Sequence, residues 1–105
     1  WEGQHDPDWI GACVRAGFEY GADAVKVLYA EKDFDRIVAA CPAPVVMAGG
    51  PKTGDLLETV RSSVRAGGKG CAIGRNVYGS PDPAAQIRKL CQVVHGKTMQ
   101  EEVQK

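Results

Sequence analysis

The sequence predicts an α/β protein of parallel β/α units, and three observations carry that reading. Its strand candidates are short continuous apolar runs, as in parallel sheets covered by helices. Stretches with apolar residues at helical spacing separate them. Glycine or proline stands at most of the changes of period.

The elements follow in order. Asp6-Pro7 opens the first helix, with Asp as cap and Pro in the first helical position. Ile10, Cys13, Val14, Gly17 and Phe18 then fall at helical spacing, and Gly21 ends the helix. ADAVKVLY, which contains Lys26, is the first strand. A short helix around Phe34, Ile37, Val38 and Cys41 is stopped by Pro42 and Pro44. PVVMAGGPK, residues 44–52, is a buried strand entering a glycine-rich turn. Thr53 or Asp55 caps the next helix, whose stripe is Leu56, Leu57, Val60 and Val64, with Gly67 and Gly68 beyond. GCAIGRN, residues 70–76, is the third strand. Asp82-Pro83 opens a helix carrying Ile87, Leu90, Cys91 and Val94, and Thr98 with Glu101 reads as a capping box for a terminal turn. The order is α-β-α-β-α-β-α-α in a single domain. Three strands are few: a closed (β/α)₈ barrel takes about 250 residues, and an open sheet leaves two free edges.

Composition limits the function classes. The 105 residues are 44% hydrophobic and 25% charged, with thirteen basic and thirteen acidic side chains and no formal net charge. That balance argues against nucleic acid or an anionic membrane as partner. No apolar run is long enough to span a bilayer, and no signal-peptide pattern precedes the first helix. Cys13, Cys41, Cys71 and Cys91 are widely spaced, unlike zinc or redox motifs, and read as reduced core thiols. A cytoplasmic location is expected, and the start at Trp1 without Met is expected to be trimmed or fragmentary.

Lys26 is the unusual residue. Strand alternation puts Ala24, Lys26 and Leu28 on one face and Val25, Val27 and Tyr29 on the other. Lys26 is then either a solvated lysine that deters edge pairing or an amine enclosed in a pocket. Burial favours a neutral amine, the form that attacks a carbonyl to make a Schiff base. Two turns bear on the choice. Gly49-Gly50 closes the second strand and Gly74-Arg75 the third. Glycines admit close approach of a ligand to backbone N–H groups, and Arg75 offers a charged contact to phosphate. Each turn taken alone is also compatible with a simple turn. Lys52 is a lesser phosphate candidate. Tyr29 and Tyr78 are expected to pack first and donate hydrogen bonds second. His5, His95, Asp33 and Asp35 show no catalytic pairing and read as solvated or end-of-helix residues.

The segments GADAVKVLY, CPAPVVMAGGPK, AGGKGCAIGRNVYGSPDP and the helix ending VVHG together resemble the class I, Schiff-base aldolase family of the archaeal and bacterial fructose-bisphosphate type. YAEKDFDRIVAACPAPVVMAGG is most similar to the family's autoinducer-2 phosphate thiolase branch, and GGPK to its aldolase branches. The resemblance covers nearly the whole chain. It implies a partial (β/α)₈ TIM barrel, the last three strands with their helices, so that residues 1–105 form one C-terminal segment of a longer chain. It implies Lys26 as the imine-forming lysine and Ala48, Gly49, Gly50, Gly74 and Arg75 as the substrate phosphate site. It implies a phosphorylated ketose or diketone as substrate, with no metal or organic cofactor. The family's proton-transfer tyrosine and acid/base groups lie on earlier strands that nothing here matches. A homo-oligomer is expected, because association would cover the open sheet. Two other readings remain at this point: a barrel segment whose turns hold a flavin or other phosphate, and a non-catalytic half-barrel that pairs with a second copy.

Overall fold

A computed structural model of the chain describes residues 3–49 and 55–96. The second glycine of the first turn, Gly50, lies outside them, as do Lys52, Thr53 and the capping box from Thr98 to Glu101. The described elements run α1 (Pro7–Glu19), β1 (Val25–Leu28), α2 (Phe34–Ala39), β2 (Val45–Ala48), α3 (Leu56–Arg65), β3 (Gly70–Ala72), α4 (Arg75–Tyr78) and α5 (Pro83–His95).

The helix starts have the expected chemistry. The Asp6 carboxylate accepts from Trp9 N–H at 3.1 Å and the Asp82 carboxylate from Ala85 N–H at 3.1 Å, each with Pro next in the chain. Asp55 caps α3, accepting from Glu58 N–H at 3.3 Å. Gly21 takes a left-handed φ of 93° just beyond α1, a conformation that glycine adopts without strain. Helix α2 is shorter than its sequence pattern. It ends at Ala39, because Pro42 and Pro44 push the residues before them, Cys41 and Ala43, out of the helical region.

The third strand is the main correction. GCAIGRN is strand only over Gly70–Ala72. Gly74 then caps the one-turn helix α4, and the residues from Arg75 onward are helical. Ile73 and Val77 stand four apart and both pack against the Met47 core, which draws this segment into a turn of helix. The one-turn helix α4 was not expected; the Asp82-Pro83 helix is α5, and the terminal turn expected after it lies outside the described residues.

The three strands are parallel in the order β1-β2-β3, with Val25 opposite Val45, Val27 opposite Met47 and Met47 opposite Cys71. That register sets Val25, Val27, Val45 and Met47 on one face, and all four are buried. Ile10, Val14 and Phe34 cover Val25, Val27 and Val45, while Val60 and Leu90 cover Met47. Each fully buried side chain of this size contributes about 1.5–3 kcal/mol of transfer free energy. The helices thus pack mainly on one face. The other face, bearing Lys26, Val46, Ala48 and Ala72, is more open: these residues are exposed or half-buried, and α5 reaches this face at Gly70 through Val94. Consecutive parallel neighbours with helices on a single side are the repeating unit of a β/α barrel, whose opposite face is the barrel interior.

Candidate active site

Parallel strands place their carboxyl ends along one border of the sheet, where binding loops gather in such folds. Here that border holds Tyr29 after β1, Gly49 after β2 and Gly74-Arg75 after β3. A cavity of about 290 Å³ opens there on the more open face. Lys26, Ala48, Gly49, Gly74 and Arg75 all line it, together with Ala72, Asn76 and Tyr78. The fold therefore gathers five of the six residues singled out in the sequence. The sixth, Gly50, lies outside the described residues.

Strand alternation positions Lys26 as expected, on the face opposite Val25 and Val27. It is exposed, so the described residues do not enclose the amine. Neither Lys26 nor Arg75 forms an ion pair with a described carboxylate; the ion pairs are Arg15–Glu19, Arg61–Glu58 and Arg65–Glu58. Among the described residues the cavity lining thus holds two basic side chains and no carboxylate, an arrangement that attracts an anion.

Gly49 is required by close packing. A Cβ there would stand 2.9 Å from Ile73 Cγ2 and 3.2 Å from Asn76 Nδ2, so the end of β2 sits directly on the chain leaving β3. Gly74 is looser: its Cβ would lie 3.5 Å from Tyr78 Cε2, an ordinary contact. The Tyr78 ring thus rises beside the Gly74 turn. It is 71% exposed, contrary to the expectation that it packs first. Tyr29 does pack, edge-on to Phe34 with ring centroids 5.1 Å apart.

Sequence reasoning missed Asn76 and gave Tyr78 only a packing role. Asn76 was hidden because residues 70–76 read as strand; the available signal was Ile73 and Val77 at helical spacing, closed by Gly79 and Pro81. A second cavity, about 500 Å³, lies beyond the same wall and is lined by His5, Tyr29, Glu31, Asp55, Glu58 and Thr59 among others. His5 Nδ1 is 2.8 Å from the Tyr29 carbonyl oxygen, which fixes the entry segment against this border. A larger groove, about 650 Å³ between α1 and α2, contains none of the expected site residues. His95 ends α5 and is exposed, as are Asp33 and Asp35. The four cysteines are free thiols and half-buried rather than fully enclosed. Among the described residues no group of three or more His, Cys, Asp and Glu converges to hold a metal ion, and no helix is long and apolar enough to cross a membrane.

Comparison with known proteins defines the class. The structure superimposes on a crystal structure of an archaeal fructose 1,6-bisphosphate aldolase with a TM-score of 0.82 at 36% identity, covering 89% of this chain and 39% of that one. The fold is accordingly a stretch of an aldolase TIM barrel. Residues 1–80 match the DeoC/LacD family aldolase model, and the chain belongs to that family. It is 38% identical over 92 residues to the 3-hydroxy-5-phosphonooxypentane-2,4-dione thiolase of Salmonella typhimurium, covering 86% of this chain and 32% of that protein. It is 40% identical over 95 residues to the 2-amino-4,5-dihydroxy-6-oxo-7-(phosphonooxy)heptanoate synthase of Streptomyces griseus, covering 86% of this chain and 35% of that protein. The chain spans about a third of the length of these relatives.

Proposed function

We propose that the chain is the C-terminal barrel segment of a longer cytoplasmic Schiff-base aldolase or thiolase, a carbon–carbon lyase or acyl-transfer enzyme of carbohydrate metabolism acting on a phosphorylated ketose or diketone. The observation that carries this is the single cavity uniting Lys26 with the Gly49 and Gly74-Arg75 turns. The names of the relatives support the substrate class, since the thiolase and the synthase are both named for phosphonooxy carbonyl compounds.

In this reading the Lys26 Nζ lone pair adds to the ketone carbon, and the carbinolamine loses water to give an iminium. For the lyase, the hydroxyl on the leaving carbon gives up its proton and becomes the carbonyl of the departing aldehyde, while the iminium accepts the electron pair of the breaking carbon–carbon bond; the resulting enamine takes up a proton, and addition of water then releases the ketone and frees the lysine. Backbone N–H groups of the glycine turns and the Arg75 guanidinium hold the phosphate, so that binding remote from the reacting carbon fixes its position over Lys26. The scheme uses no metal or organic cofactor. Enclosure of the amine and the proton-transfer groups belong to the strands that complete the barrel. A homo-oligomer is part of the same reading.

Borohydride reduction in the presence of dihydroxyacetone phosphate, followed by peptide mass spectrometry, tests this. A reduced adduct on Lys26, absent in Lys26→Met, is expected. A folded protein that gives no adduct, both in this chain and in a longer gene product, overturns the reading.

A further inference from the structure

Asn76 and Ser63 are the buried polar side chains among the described residues, and only Asn76 touches the candidate site. It is 7% exposed and sits in α4, two residues after Gly74. Its Nδ2 lies 3.2 Å from the position a Cβ would take on Gly49. One carboxamide therefore stands between the two glycine turns. It also forms part of the wall common to both cavities at this border. On one side of that wall are Lys26 and Arg75, and on the other Glu31, Asp55 and Glu58. The wall separates a basic space from an acidic one.

Burying a carboxamide is costly unless it is engaged, and Asn76 is engaged. A satisfied buried polar group holds its surroundings in one arrangement more strictly than an apolar residue of equal volume. Those surroundings include both turns: Asn76 abuts Gly49 and follows Gly74 by two residues. We infer that Asn76 is a positioning residue that sets the separation of the Gly49 and Gly74 turns, and through it the preference of the Lys26/Arg75 cavity for phosphorylated over unphosphorylated ligands. The inference rests on the phosphate reading given above and names the residue that makes the site selective.

The test is a titration of the ¹⁵N-labelled chain with inorganic phosphate, read at the Gly49 and Gly74 amides. In the wild-type both amides shift along one isotherm. Asn76→Ala is expected to weaken phosphate by about ten-fold, the loss of one buried polar contact, and to separate the Gly49 response from that of Gly74. Asn76→Ser, which retains a hydrogen-bonding group, recovers part of the affinity. In Asn76→Ala, borohydride trapping of dihydroxyacetone phosphate at Lys26 is expected to fall several-fold more than trapping of unphosphorylated dihydroxyacetone, a split that a general loss of structure would not produce. If a folded Asn76→Ala binds phosphate as the wild-type does, or loses trapping of both ketones equally, the inference fails while the phosphate site stands. If neither variant folds, Asn76 is a core residue and the inference also fails. If wild-type shows no phosphate response, or Arg75→Met leaves it intact, the underlying phosphate reading fails first.

Discussion

At the residue scale, Gly49 and Gly74 look equivalent in the sequence, yet the space around them differs. A methyl group on Gly49 meets Ile73 at 2.9 Å, well inside van der Waals contact, and Asn76 at 3.2 Å. On Gly74 it meets only the Tyr78 ring edge at 3.5 Å. Gly49→Ala is expected to destabilise by about 1–3 kcal/mol through overpacking, against well under half of that for Gly74→Ala, as read from urea midpoints. Equal midpoints for the two variants would refute the packing argument. Cys71 gives a second prediction. Burial pushes its thiol up from the ordinary value, and the nearby Cys91 adds to the effect. The folded thiol thus ionises later than the unfolded one. Its contribution to stability is complete below the ordinary thiol range, near pH 8.5–9, and is lost as pH rises through the folded value. Urea midpoints should fall more steeply above about pH 8.5 in wild-type than in Cys71→Ala, and parallel curves would contradict this. The facing of Lys26 was legible in the sequence because alternation is a property of the strand backbone. The place of Asn76 was not, because it depends on which residue lies across from Gly49.

At the element scale, the caps were legible and the strand ends were not. Asp-Pro fixes a helix start by local chemistry, and both instances hold. The length of β3 was misjudged because the apolar run through Ile73 serves strand and helix equally; packing against Met47, a contact remote in sequence, decides between them. The two Asp starts of α5 and α2 also diverge. Asp82 caps α5 through Ala85 N–H, so Asp82→Ala is expected to cost about 1 kcal/mol. Asp33 begins α2 at φ 61° with no capping hydrogen bond from its side chain. It bears left-handed strain without the compensation of a cap, and Asp33→Gly is expected to stabilise by about 0.5–1 kcal/mol. Thermal midpoints moving in opposite directions for the two substitutions would support this account. A loss of stability in both would show that Asp33 is held by something other than its backbone geometry.

At the scale of the whole molecule, the helices cover one face of the sheet, while β1 and β3 each pair on one side alone within the three-stranded order. Unpaired strand edges recruit further strands, and an inward charge is one of the devices that restrain this. Lys26 occupies that position, on β1 and on the more open face. In the proposed function Lys26 presents an amine to a carbonyl, and as a charge on an edge strand it would also keep the open sheet from pairing without control. The two roles separate by experiment. Lys26→Met and Lys26→Val both remove the amine and should both abolish iminium trapping. Valine in addition raises β propensity and continues the apolar surface of Val46 and Ala48 across β1. Sedimentation velocity over a concentration series should show reversible association of the wild-type chain, tightened by on the order of ten-fold in Lys26→Val and less in Lys26→Met. Association that is unchanged in both variants would mean that the free edges are not where copies meet. It would leave Lys26 with the proposed chemical role alone.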